Sequence, residues 1–167
     1  MKLIGFFTMF LFIISCMSNK HNVKNDAVSK SNPTPVISDT TSYFNLLNAT
    51  SEPWVAGIRG GGSGIEHSFQ IFIISDQKLI FEKVWMKDNV FEVFVSKNQN
   101  AITSDPVQYT KNEVITVRVS EFQRVNAEKI LPPLQYEGEA LIGFKVNGQQ
   151  KYFIVKEIKK LPTLYRQ

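Results

Sequence analysis

An Asn-Gly pair between two alternating segments restricts the fold of this chain more than any other sequence feature. Before Asn147-Gly148, and again after it, apolar residues occupy every second position: Ala140, Ile142, Phe144 and Val146, then Phe153 and Val155. Such a period of two gives a β-strand one apolar face. Asn-Gly is the preferred centre of a type I′ turn, which joins antiparallel strands. The sequence therefore predicts a β-hairpin here.

Further strands are predicted upstream, at residues 54–59, 65–73, 79–86, 90–95 and 114–120. In the second of these, His67, Phe69, Ile71 and Ile73 share one face. Lys87-Asp88-Asn89 is typical of a hairpin turn, Pro132-Pro133 of a crossover loop, and residues 120–130 could hold a short helix. About seven strands with polar turns predict a mainly β fold, either an antiparallel β-sandwich or an open β-barrel.

The first 15 residues have the composition of a secretory signal peptide. Residues 3–14 are apolar apart from Gly5 and Thr8. As a helix they would span about 18 Å, which is short of the ~30 Å hydrocarbon core of a bilayer. This segment is therefore too short to be a transmembrane helix.

The segment Ile13-Ile14-Ser15-Cys16 resembles the bacterial lipoprotein box, with a small residue before the cysteine. Cys16 is the only cysteine, so the chain has no internal disulfide. The resemblance implies lipid attachment at Cys16 through three acyl chains such as palmitate. Two acyl chains already suffice for stable membrane anchoring. We expect Cys16 to tie the protein to a membrane.

A change in composition divides the rest of the chain. Residues 16–43 contain the cysteine and then mostly Ser, Asn, Thr, Lys, Asp and Pro, which cannot bury enough apolar surface to order the segment. This predicts a flexible stalk with a reach of about 30 Å. Residues 44–167 are predicted to form one β-rich globular domain.

A glycine-rich segment is the most distinctive part of that domain. It contributes most of the candidate contact residues, which are Trp54, Arg59, Gly60, Gly61, Gly62, Ser63, Gly64 and Glu66. Glycines in such number indicate positive φ angles or a close approach of the backbone. The segment could cradle an anion with its N–H groups, or it could be a hairpin loop or glycine bulge. It leads into a strand and lacks the Gly-Lys-Ser/Thr of a phosphate loop.

Residues suited to catalysis do not form a convincing set. Ser63 lacks the full G-x-S-x-G pattern, and His67 would lie roughly 13 Å away along a strand. Glu137 and Glu139 could form a carboxylate pair for Ca²⁺ binding or acid–base chemistry, although solvated glutamates are the commoner case. We expect a protein that is not an enzyme and has no cofactor or metal.

Several of these motifs occur together in a known group of proteins. The lipoprotein box, the stalk, the run from Trp54 through the glycines to Ile65, Leu131-Pro132-Pro133 and the segment 136–142 resemble a family of uncharacterised exported lipoproteins of the Bacteroidetes type. The similarity covers residues 52–161. It implies a location in the cell envelope and a β-rich fold, and it supplies no catalytic residues.

The expected function is that of a lipid-anchored, non-catalytic β-domain that binds or scaffolds another envelope protein. Met17-Ser18-Asn19-Lys20 contains no acidic residue, which favours the outer membrane with the domain facing the periplasm. The alternative is a small-molecule or glycan binder with an end pocket lined by Trp54, Trp85 and Phe side chains. Basic and acidic residues alternate along the domain, so we expect no nucleic-acid partner.

Overall fold

The structure, a computed structural model, describes residues 37–38, 40–97, 101–103, 109–122 and 130–166. The predicted signal peptide, Cys16 and most of the predicted stalk lie outside these residues. The described part contains twelve strands: β1 Ile37–Ser38, β2 Phe44–Ala56, β3 Ser63–Ile73, β4 Leu79–Met86, β5 Asn89–Glu92, β6 Phe94–Lys97, β7 Ala101–Thr103, β8 Val114–Phe122, β9 Ala140–Val146, β10 Gln149–Val155, β11 Lys159–Lys160 and β12 Leu164–Arg166. Within the described ranges, no helix has the length and apolar character needed to cross a membrane.

The strands form two sheets. A five-stranded sheet has the order β1-β10-β9-β4-β5, and a seven-stranded sheet has the order β11-β2-β3-β8-β6-β7, with β12 also paired to β2. The pairs β1–β10, β11–β2 and β12–β2 are parallel, and the remaining pairs are antiparallel. The prediction of a mainly β sandwich is confirmed, and the described strands do not close into a barrel.

Aromatic side chains from both sheets meet in the core. Phe44 of the seven-stranded sheet makes ring contacts at centroid distances of 5.1–5.4 Å with Phe81, Phe144 and Phe153 of the five-stranded sheet. Edge-to-face and tilted ring pairs of this kind add about 0.5–1.5 kcal/mol each beyond the burial of their surface. The two sheets are therefore held face to face by a shared apolar layer.

The alternation read from the sequence corresponds to the observed faces. Phe69, Ile71 and Ile73 of β3 are fully buried, and so are the alternate positions Val117 and Val119 of β8. Because β3 and β8 pair in antiparallel register, these side chains form one continuous inner face. This face is the apolar side predicted from the period of two.

Both predicted hairpin turns are present. Asn147 and Gly148 have φ angles of 48° and 85°, the two positive values that a type I′ turn requires. Lys87 and Asp88 connect β4 to β5 between the paired residues Met86 and Asn89, and Lys87 has a φ of 54°. Asn147 and Gly148 are residue types that adopt positive φ readily, whereas lysine rarely does, so the turn at Lys87 is the more strained of the two.

Two predicted strands differ from those observed. β2 begins at Phe44 and ends at Ala56, so the segment 54–59 covers only its last residues. An irregularity between Leu46 and Asn48 shifts the alternation and conceals the first half of β2. The segment 90–95 contains parts of two strands, because β5 pairs with β4 in one sheet and β6 pairs with β8 in the other.

The described strands outnumber the roughly seven expected, since strands of two or three residues are too short to show alternation. The predicted helix at 120–130 is wrong at its start, because β8 continues to Phe122, and residues 123–129 lie outside the described residues. Pro132-Pro133 lies in the segment between β8 of one sheet and β9 of the other, as a crossover loop requires.

Candidate functional site

The glycine-rich segment forms the loop between β2 and β3, at residues 57–62. The Ala56 N–H donates to the Gly62 carbonyl at 3.0 Å, and the Gly61 N–H donates to the Ile58 carbonyl at 3.0 Å. Gly60 and Gly62 both have a φ of 83°, which side chains with a Cβ rarely adopt. Of the two interpretations drawn from the sequence, this geometry corresponds to the hairpin loop.

Close packing accounts for a third glycine of the loop. A Cβ placed on Gly61 would lie 2.5 Å from the Ala56 Cβ and 2.9 Å from the Ile58 Cγ1. The loop therefore folds back onto the end of β2, and alanine at position 61 would force it open. Substitutions at these glycines would distort the loop as well as change its surface.

Trp54 lies on the outer face of the seven-stranded sheet. Its ring stacks on the Phe122 ring at a centroid distance of 5.6 Å and an interplanar angle of 15°. It also lies across Gly64, where an added Cβ would come within 3.0 Å of the Trp54 Nε1. The Arg166 guanidinium covers the ring at 4.6 Å from its centroid. Trp54 is thus a packed side chain rather than an open contact residue.

Glu66 is held by two arginines. Its Oε2 lies 2.7 Å from the Arg166 Nη2, and its Oε1 lies 4.0 Å from the Arg118 Nη1. The outer face at this point therefore carries two guanidinium groups around one carboxylate. The sequence interpretation selected Trp54 and Glu66 but missed Arg166, since nothing in the local pattern shows that β12 returns to β2.

Arg59 is exposed at the loop, while Ser63 is half-buried at the start of β3. The register of β2 and β3 brings the residues selected from the sequence close together. They differ in how accessible they are to a partner, because Arg59 faces solvent whereas Trp54 and Glu66 both contact Arg166 on the sheet.

Exposed apolar side chains surround this loop. Ten large hydrophobic residues of the described part are exposed, and five of them lie here: Val55, Ile58, Phe122, Leu164 and Tyr165. Ile58 is 71% exposed and Tyr165 is 75% exposed. We call the loop 57–62 together with Val55, Phe122, Leu164 and Tyr165 the hairpin end.

Strand register explains why these residues gather. Val55 pairs with both Ser63 and Tyr165, and Phe122 pairs with Gly64, so β2, β3, β8 and β12 all present their ends at the same place. Phe122 and Leu164 lie on the outer face with Trp54, whereas Val55 and Tyr165 lie on the opposite face, so exposed apolar side chains flank both faces of the sheet at this end. Exposed apolar side chains are common singly, but several around one loop are typical of interaction surfaces.

A second feature is a cleft of about 1420 Å³ between the seven-stranded sheet, the β4–β5 turn and the segment 131–139. His67, predicted as a core or boundary histidine, forms part of its wall and is only 7% exposed. The His67 Nε2 lies 3.3 Å from the Glu121 Oε1, within hydrogen-bond distance. The buried Nδ1 has no hydrogen-bond partner among the described residues.

The cleft differs from the pocket that the alternative function requires. Trp54 and Trp85 are absent from its lining, and neither belongs to the core cluster between the sheets. Trp85 instead lies across Gly143, where a Cβ would come within 2.8 Å of its ring. Neither tryptophan lines this cleft, because each covers a glycine on the neighbouring strand.

Tyr136 forms another part of the cleft wall. Its hydroxyl donates to the Trp85 carbonyl at 3.2 Å. Burial raises the pKa of the Tyr136 hydroxyl, and the charge of Asp88 adds to the rise. The shift extends the pH range over which the protonated phenol can donate this hydrogen bond.

The two glutamates considered for catalysis lie before β9. Both are exposed, and the Glu139 Oε2 accepts a hydrogen bond from the Ile158 N–H at 2.5 Å. This bond gives Glu139 a structural role in joining two connecting segments. In the described ranges, no three His, Cys, Asp or Glu side chains form a group that could hold a metal ion.

In comparisons with known proteins, the chain matches no protein-family model, no curated protein and no solved structure.

Proposed function

We propose that this chain is a lipoprotein of the bacterial cell envelope whose β-sandwich domain binds another envelope protein through the hairpin end. The single observation that carries the binding part is the group of five exposed apolar side chains at that end. The lipoprotein box ending in Cys16 supports the anchoring part.

Burial of this surface by a partner would be favourable. Full burial of a large apolar side chain contributes about 1.5–3 kcal/mol, so covering about half of Ile58 and of Tyr165 would contribute roughly 1.5–3 kcal/mol in total. Tyrosine and arginine are also the residue types that most often dominate binding interfaces. Arg59 supplies a charge at the rim, where it can favour an acidic partner surface.

The stalk sets where such a partner is found. With Cys16 in the outer membrane and β1 already paired with β10 at residues 37–38, about 20 residues would join the lipid to the domain and hold it in the periplasm close to the bilayer. A tethered domain also meets a membrane-bound partner at a raised effective concentration, so a modest affinity suffices. Nothing in the proposal requires a catalytic step.

Site-specific photocross-linking in the source bacterium tests this function. A photoreactive phenylalanine analogue replaces Ile58 in one strain and Leu47 in another. Leu47 is 53% exposed and lies at the opposite end of the same strand. We expect one dominant protein adduct from position 58 and none from position 47. Equal adducts from both positions, or none from position 58, would contradict the proposal.

The anchor is tested in the same cells. Wild type and Cys16→Ser are labelled with an alkyne analogue of palmitate, and their membrane and soluble fractions are compared. We expect label and membrane association in the wild type and loss of both in the variant. A labelled, membrane-bound Cys16→Ser protein would refute lipid attachment at this position.

The cleft supports a second candidate, a small-molecule or glycan-binding lipoprotein. The observation that favours it is the large cleft beside His67, a buried residue whose Nδ1 has no hydrogen-bond partner among the described residues. A ligand that binds the folded state raises the melting temperature by mass action. We would screen a panel of envelope sugars and metabolites by thermal shift. A shift in the wild type that is lost on replacing Gln135, another wall residue, would favour this function, and no shift across the panel would oppose it.

A further inference from the structure

We infer that the protein partner is held by strand addition, with an extended segment of the partner pairing along the open edge of β12. This inference rests on the proposed function and specifies how the partner is recognised. It identifies the partner as a protein with an extended segment that can form a parallel or antiparallel strand.

The hydrogen-bond pattern of β12 identifies which main-chain groups are available. The Arg166 carbonyl accepts a hydrogen bond from the Gly57 N–H at 2.6 Å, so the main-chain groups of Arg166 face β2. Successive residues of a strand direct their N–H and C=O groups to opposite sides. The N–H and C=O of Tyr165 therefore point away from β2. Among the described strands, β12 pairs with β2 alone.

Side-chain contacts hold this edge in place before any partner arrives. The Arg166 side chain covers the Trp54 ring and bonds to Glu66, which fixes the last residue of β12 against β2 and β3. An edge that is already extended needs less ordering on binding, and preorganisation of this kind raises affinity.

The neighbouring edge is built differently. β11 consists of Lys159 and Lys160, both exposed, and Pro162 follows it. Lysine and proline are the usual means of preventing strand addition at an exposed edge. β12 carries Leu164 and Tyr165 instead, and its one charged side chain folds back over Trp54. Among the residues that the structure describes, the seven-stranded sheet is thus protected at β11 and open at β12.

Side chains beside the open edge can provide specificity. Leu164 pairs with Trp54 and Tyr165 pairs with Val55, so they point to opposite faces of the sheet. A partner strand lying along β12 would place alternate side chains against Leu164 on one face and Tyr165 on the other. We therefore expect the partner segment to be apolar on both faces.

The test compares two variants of the full-length lipoprotein that already carries the photoreactive residue at position 58. Tyr165→Ala removes the side chain and keeps the outward N–H, whereas Tyr165→Pro removes both. Proline is tolerated on a strand edge when its missing N–H faces outward. The N–H of Leu164, like that of Arg166, faces β2. Leu164→Pro therefore removes a hydrogen bond between β12 and β2, and it shows the adduct yield expected when β12 separates from the sheet.

Strand addition predicts that Tyr165→Pro gives about tenfold less adduct than Tyr165→Ala, the loss expected for one main-chain hydrogen bond of roughly 1.4 kcal/mol. Equal yields from the two variants, with an adduct in the wild type, would overturn strand addition and leave the proposed function standing. A missing adduct in the wild type would overturn both. An adduct at twice the mass of the chain would identify a second copy as the occupant and also overturn this inference.

A second measurement needs no proline. In the free protein the Tyr165 N–H faces solvent, whereas in the complex it would donate a hydrogen bond to the partner strand. Amide hydrogen exchange of the C-terminal peptide should therefore slow at least tenfold in the purified cross-linked complex. An unchanged exchange rate at Tyr165 would refute the inference even if Tyr165→Pro fails to fold.

Discussion

Replacing Gly64 with alanine would test how Trp54 is positioned at the hairpin end. An added Cβ would lie 2.6 Å from the Glu121 carbonyl oxygen and 3.0 Å from the Trp54 Nε1. Ordinary contact begins at 3.4 Å, so β3 and β8 would have to separate by about 0.8 Å (3.4 minus 2.6 Å), and the indole would have to shift as well. The carbonyl is backbone, so it cannot rotate away as a side chain could.

Overpacking of this kind costs about 1–3 kcal/mol of the free energy of unfolding. With a urea slope of about 2 kcal/mol/M, the unfolding midpoint of Gly64→Ala should fall by roughly 0.5–1.5 M. Tryptophan fluorescence is a suitable readout, because Trp54 is one of only two tryptophans in the chain. Loss of its stacking on Phe122 should also shift the emission of the folded state.

Ser68→Ala serves as the matched control. Ser68 lies on the same strand and the same face as Gly64, and its substitution should change the free energy of unfolding by less than about 0.5 kcal/mol. A Gly64→Ala protein with the midpoint and the emission spectrum of the wild type would show that Trp54 does not lie across this glycine.

Three further predictions concern stability. Lys87→Gly should stabilise the protein by about 0.5–1 kcal/mol, because glycine adopts the φ of 54° at this position without the steric strain of a Cβ. Calorimetry should show a higher melting temperature, and a lower one would contradict the turn geometry. Burial, and secondarily the charge of Glu113, raises the pKa of Tyr109 to about 12, so the folded state holds this proton more tightly than the unfolded chain. Urea midpoints should fall as the pH rises from 10 to 12, and less in Tyr109→Phe, whereas identical pH profiles would refute this. Glu139→Ala should cost about 1–2 kcal/mol in urea unfolding, because the Ile158 N–H loses its acceptor; no change would mean that the bond is not formed.

Period-two alternation was sufficient to predict the inner face of the sandwich. In β3 the residues from His67 to Ile73 are buried at every second position, so burial follows the alternation of the sequence, whereas β9 is buried at every position except Lys145. Asn147-Gly148 fixed the turn between β9 and β10 because few residue pairs adopt two positive φ angles. These features depend only on neighbours along the chain.

Features that depend on distant residues were not predictable in this way. The stacking of Trp54 on Phe122 and the contact of Arg166 with Glu66 join residues from four different strands. Strands of two or three residues such as β11 and β12 show no period, and the change of sheet near Val93 leaves the apolar pattern intact. The glycine loop was recognised from composition, but the exposed residues around it came together only through strand register.

Covalent footprinting in living cells is the most direct test of the claim that the hairpin end contacts a partner. Side-chain labelling of Ile58 and Tyr165 is compared between the intact envelope and the purified protein, with exposed Leu47 as the reference position. The account predicts that Ile58 and Tyr165 are labelled several-fold less in the envelope while Leu47 is labelled equally in both. Equal labelling of all three residues in the two settings would contradict it.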